Sequence, residues 1–210
     1  METTIQKQLL QEYMVFKATP QQLKESIEKN NGALIVEGII QKAEAKNGNG
    51  RVYPKAILEG AINKYKENFI TNGNSYLELD HPNSEVVALS NSCGVLKEVW
   101  WNGNDVMGKI EVLSDIPNGS KGTPTGNILK TLFERGLTVG ISSRAMGSVK
   151  QIDENTVEVQ DDLEFASWDF VSNPSTPGAN MKPSLNEGKI SQIKTKYSKI
   201  NEIITDIFTL

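Results

Sequence analysis

The sequence predicts a β-rich domain of the α+β class, or a barrel, and three observations carry that expectation. From Ala33 to Val171 the chain is mostly short runs rich in Val, Ile, Phe and Trp, separated by Gly, Asn and Pro. Only two helical patterns interrupt those runs. One hairpin is explicit: "VLKEVWW" and "DVMGKIEVL" flank Asn102-Gly103-Asn104, residue types that tolerate positive φ. Strands outnumbering helices in one stretch of this length fit a single β-rich core.

The elements follow in order. Residues 1–32 read as an accessory helical segment. Thr19-Pro20-Gln21-Gln22 is a helix start, with Thr as N-cap and Pro in the first turn, and Gly32 ends the helix. Ala33 to Ala45 is one long strand with Gly38 as a candidate bulge. "KNGNGRVYP" is a loop, and Pro54 opens a helix with Ile57, Ala61, Ile62 and Tyr65 on one face. "SYLELDHPN" is a short strand ending at Pro82. Ser114 to Gly126 is a flexible loop by composition, and "NILKTLFERG" is a helix stopped by Gly136. "LTVGISS", "TVEVQ" and "LEFASWDFV" complete a domain over residues 33–171. Residues 172–188, rich in Pro, Ser, Gly and Asn, are a linker. In 189–210, Ile190, Ile193, Tyr197, Ile200, Ile204 and Ile207 recur at three- and four-residue steps, so a C-terminal helix with a heptad-like seam is expected.

Composition narrows the function. The 22 basic and 26 acidic residues give net charge -4, with no basic stripe to neutralise phosphates, so neither direct nucleic-acid binding nor polybasic membrane attachment is expected. No apolar run approaches the roughly 20 residues that span a bilayer. Cys93 is the only cysteine, which excludes an internal disulfide and a thiolate-rich metal site and fits a reducing compartment.

Three residues stand out for chemistry. His81, the only histidine among 210 residues, lies at a strand end beside Pro82. Ser142 and Ser143 follow Gly140-Ile141 in "TVGISSRAMG", where a turn after the strand frees backbone N–H groups to hold an oxyanion. Arg144 at the fifth position of "GISSR" excludes the nucleophile elbow of α/β-hydrolases. Asp169 interrupts an apolar strand between Trp168 and Phe170, where a carboxylate is costly to bury without a donor such as an imidazole N–H. Each has a plain structural reading: a satisfied surface histidine, a serine turn, an outward-facing aspartate. Two further readings compete. Cys93 with His81 is a cysteine-hydrolase alternative, and Glu78, Asp80 and His81 form a weak metal-site pattern, since one histidine on an alternating strand does not make a three-ligand site.

Taken together, "EGIIQKAEAKNGNGRVYPKAILEGA", "LELDHPN", "EVWWNGNDVMGKIEV", "GISSRAMGS" and "WDFVSNPSTPGA", in that order between Leu34 and Pro177, resemble the prohead core proteases of tailed bacteriophages, a group related in fold to herpesvirus assemblins. The resemblance implies a small β-barrel surrounded by helices, with no cofactor and no metal. It implies a serine endopeptidase with Ser142 as nucleophile, His81 as base and Asp169 as orienting carboxylate, and with Ser143 and Arg144 as oxyanion candidates. It also implies cleavage of scaffold and core proteins, of the major capsid protein and of the chain itself, inside the immature prohead in the host cytoplasm, with room for a homo-oligomer. The remaining alternative is a non-enzymatic capsid-associated protein with the same fold, which the complete set of three residues opposes.

Overall fold

The computed structural model describes residues 8–16, 20–82, 84–117, 119–172 and 182–183. The linker and C-terminal helix expected over 172–188 and 189–210 lie almost wholly outside those residues. The chain runs β1 (Gln8–Phe16), α1 (Pro20–Lys29), β2 (Leu34–Lys42), β3 (Arg51–Val52) and α2 (Lys55–Tyr65), the last extended by a π-helical turn at Lys66–Ile70. It continues through β4 (Tyr76–Glu78), β5 (Ser92–Asn102), β6 (Asp105–Val112), α3 (Pro124–Glu134), β7 (Val139–Gly147), β8 (Val149–Asp153), β9 (Thr156–Val159), β10 (Glu164–Val171) and β11 (Lys182–Pro183). Mostly strands with few helices is what the sequence led us to expect.

The barrel is a different matter. The strands form three sheets, ordered β1-β7-β10, β11-β2-β6-β5-β4 and β3-β9-β8, and no closed barrel is found among the described residues. The five-stranded sheet meets the β1-β7-β10 sheet where Leu79, just beyond β4, makes a parallel bridge to Phe170 of β10. The N-terminal segment also departs from expectation. Among its described residues Pro20–Lys29 is helical, whereas residues 8–16 form a strand paired antiparallel to β7. "QLLQEYMVF" carries apolar residues at both helical and strand spacing, and pairing along all of β7 decides between them.

The β5–β6 hairpin has a two-residue tip, since Asn102 pairs with Asp105 and Gly103 alone at the tip takes positive φ, at 64°. Gly38 is regularly paired with Gly108, and the irregularity in β2 falls instead between Ile39 and Gln41. Burial alternates along β2 and β6, placing Leu34, Val36, Ile40, Val106, Ile110 and Val112 in the core. Helix α3 begins inside the expected flexible loop. Thr123 caps it by accepting from the Gly126 N–H at 3.0 Å, with Pro124 in the first turn. The same loop is tied down by Asp115, whose Oδ1 accepts from the Gly122 N–H at 2.7 Å. Phe133 of α3 and Tyr65 of α2 pack edge-on against Phe170 and Trp168 of β10, so both helices back the strand that carries Asp169.

Candidate active site

Strand β7 is the middle of its sheet, and its buried pattern reflects neighbours on both edges. The expected strand end at the serines does not occur: β7 runs through Ser142, Ser143 and Arg144 to Gly147. Side chains alternate, so Ser142 and Arg144 share one face and Ser143 takes the other. On β10, Asp169 pairs directly with Ser142 and Ser167 with Arg144, which sets four polar side chains on a common face.

His81 reaches that face from the other sheet. Beyond β4 the chain is pinned by the Asp80 N–H, which donates to Phe170 O at 2.7 Å. Asp80 itself adopts φ 63°, a left-handed conformation that Asp tolerates better than most residues, and the reversal delivers His81 over Ser142. On the far side of Pro82, Ser84 O accepts from Arg144 Nη1 at 2.7 Å. The histidine is therefore held by backbone contacts before and after it.

The resulting line of contacts is continuous. His81 Nδ1 lies 2.8 Å from Asp169 Oδ2, and His81 Nε2 is hydrogen-bonded to Ser142 Oγ. Asp169 Oδ1 accepts from the Glu78 N–H at 3.0 Å and from Ser167 Oγ at 2.9 Å. A carboxylate ringed by donors has only acceptor capacity to offer, so His81 Nδ1 carries the proton and Nε2 presents a lone pair to the serine hydroxyl. Ser142 and Asp169 are fully buried and the His81 side chain is 8% exposed, so the imidazole is the member of the three that reaches solvent.

The oxyanion expectation does not match this geometry. The Ser143 side chain lies on the opposite face from Ser142, its Oγ buried without a hydrogen-bond partner among the described residues. The Arg144 guanidinium is committed to the protein: it bonds Glu78 Oε2 and Ser84 O, and contacts Ser167 Oγ from both Nε and Nη2. It also lies 3.1 Å from Asp169 Oδ2. Strand alternation, with serines at 142 and 167 each two residues from Arg144 or Asp169, was the signal available for this grouping.

Neither rival chemistry is favoured. Cys93 is fully buried at the start of β5, and burial, reinforced by the charge of Asp169, pushes its thiol well up, away from the thiolate a nucleophile needs. Glu78 bonds Arg144 through its carboxylate and Asp80 is exposed, so these two do not converge with His81 on a metal position.

Comparison with known proteins agrees in kind. A family model described as prohead core protein serine protease matches residues 10–194. The chain is 33% identical over 151 residues to the prohead core protein protease of Enterobacteria phage T4, covering 71% of this chain and 68% of that protein. The solved structure of the bacteriophage T4 capsid assembly protease is similar at TM-score 0.67 and 27% identity, covering 80% of this chain and 99% of that one.

Proposed function

The chain belongs to the prohead core protein serine proteases, and from that premise we propose that it is an endopeptidase in which Ser142 attacks, His81 is the base and Asp169 orients the imidazole. The observation that carries this reading is the unbroken line from Asp169 Oδ2 through both ring nitrogens of His81 to Ser142 Oγ. As Ser142 Oγ adds to a scissile carbonyl, its proton passes to His81 Nε2. The imidazolium is stabilised by Asp169 while the tetrahedral adduct persists. Nε2 then returns the proton to the departing amine, leaving an acyl ester on Ser142. A water deprotonated by His81 hydrolyses the ester and regenerates the hydroxyl.

The substrates under this reading are the scaffold and shell proteins of the immature prohead and the chain itself, with the enzyme enclosed in that particle. Kinship of the fold with herpesvirus assemblins is part of the same proposal and rests on the sequence resemblance. Since Ser142 is fully buried, the described arrangement is a closed one, and catalysis requires the site to open.

The test is autolysis of the purified chain, followed by intact mass, alone and with prohead scaffold protein. Wild type is expected to yield time-dependent fragments that vanish in Ser142→Ala and persist in Ser143→Ala and Cys93→Ala. Loss in Ser143→Ala with retention in Ser142→Ala would transfer the nucleophile and overturn the assignment.

A further inference from the structure

Arg144 and Glu78 are both fully buried, and the chemistry above uses neither side chain. Their carboxylate–guanidinium pair adjoins Asp169 directly, through Arg144 Nε at 3.1 Å from Oδ2 and Nη2 at 3.5 Å from Oδ1. A cation at that distance competes with His81 for the charge of Asp169. Left uncompensated, it would oppose formation of the imidazolium on which proton transfer depends.

We propose that Glu78 is a positioning residue that sets the basicity of His81 by neutralising Arg144, so that the charge of Asp169 remains directed at the imidazole. The inference rests on the triad reading above. With His81 neutral, Glu78, Arg144 and Asp169 together carry one net negative charge, and the proton taken from Ser142 brings the buried cluster to neutrality. Without the Glu78 charge, the same transfer takes a neutral buried cluster to a positive one, an unfavourable change in a medium that solvates charge poorly.

The two functions of Glu78 are separable. Its backbone N–H donates to Asp169 Oδ1 at 3.0 Å and does not depend on the side chain, whereas its carboxylate is hydrogen-bonded to Arg144. The other ionisable groups facing the cluster are accounted for. From β5 the Cys93 thiol and from α2 the Tyr65 phenol are held neutral, each pushed up first by burial and then by Asp169. Asp80, between β4 and His81, is exposed and screened by water.

The single histidine makes this directly measurable. In full-length protein labelled with 13C and 15N at histidine, in a Ser142→Ala background to prevent autolysis, one imidazole signal is titrated. Glu78→Gln is expected to move its midpoint to lower pH by about one unit, while Glu78→Asp, which keeps the charge, leaves it within about 0.3 unit of the parent. Arg144→Gln is expected to move the midpoint the other way. Opposite signs distinguish charge coupling from loosening of the site, which would move both variants in the same direction. An unmoved or raised midpoint in folded Glu78→Gln overturns the proposal. Should Glu78→Gln not fold, a lowered midpoint in Arg144→Gln overturns it and a raised one supports it. Failure of the triad itself reads out separately, as protease activity retained in Ser142→Ala.

Discussion

Replacing Asp169 by Asn tests the site most severely, because the surrounding donors fix how the amide must lie. Oδ1 of Asp169 faces the Glu78 N–H at 3.0 Å, a backbone donor that cannot turn away. The Asn oxygen therefore takes that position and its NH2 takes the other, beside an Arg144 Nε whose hydrogen is directed at Ser167 Oγ and facing His81 Nδ1 across what is now a 2.8 Å contact. An NH2 there requires Nδ1 to accept, which moves the ring proton to Nε2, where it donates to Ser142 Oγ and can no longer receive its proton. Two losses follow. Removing a carboxylate about 4 Å from the imidazolium charge forfeits about 4 kcal/mol at an effective dielectric of about 20, a factor near 10³. The inverted tautomer contributes about another factor of ten, so a total near 10⁴ is expected, in line with general experience of triad aspartates. The assay is the rate of covalent labelling by a fluorophosphonate, which needs an activated serine but no knowledge of the cleavage sequence, paired with 15N spectra of the single histidine to read its tautomer. Labelling within about tenfold of wild type would show that Asp169 does not set the state of His81, and the reasoning would fail.

Two further expectations concern the scaffold. Groups whose ionisation is pushed up by folding stabilise the native state below their ordinary values and lose that contribution as pH rises. Cys93, ordinarily at 9.0, and Tyr65, ordinarily at 10.0, are both raised by burial. The melting temperature should therefore fall from about pH 9 upward, later in Cys93→Ala than in wild type, while that variant keeps its fluorophosphonate labelling rate within about twofold; an unchanged alkaline limb would refute the linkage. In Gly126→Ala the added Cβ would meet Leu113 O at 2.0 Å, a backbone atom that cannot yield without moving β6 or α3. A cost of about 3 kcal/mol, or roughly 6–12 °C in melting temperature for a chain of this size, is expected in calorimetry, and a shift under 2 °C would show that the loop before α3 yields freely.

Much of this site was legible because its members are rare or out of place: the only histidine, a carboxylate inside an apolar strand, a serine pair inside a glycine-flanked one. The helices at Pro54 and before Gly136, and the hairpin at Gly103, were equally plain, since Pro and Gly mark boundaries by mechanism. What sequence could not supply was partnership across strands. Residues 8–16 satisfy helical and strand periodicity alike, and only the length of β7 available for pairing selects the strand. Arg144 beside the serines read as an oxyanion donor, because its partner Glu78 lies 66 residues away on a strand of the five-stranded sheet. The closed barrel failed for a related reason. Closure depends on the hydrogen-bonding of every edge strand, which local pattern does not encode.

The dependence on register is sharpest in β10. Phe165 pairs with Ala145 of β7, yet Ser167 pairs with Arg144, so Ala166 is an extra residue that shifts the ladder by one. Below the bulge the register places Phe165 in the core; above it, the shifted register places Asp169 opposite Ser142. A ladder continued without the bulge would set Asp169 opposite Ile141, and the two-residue alternation of the strand would turn its carboxylate to the far face, away from Ser142 and His81. A regular ladder that took in Ala166 would thus force a choice between the core contacts of Phe165 and the site contacts of Asp169. The hydrogen bonds at the site end involve Glu78, Ser167, Arg144 and His81, whereas Phe165 brings mainly its stacking on Trp168. Holding that one residue out of the ladder lets a single strand serve the core and the catalytic face together.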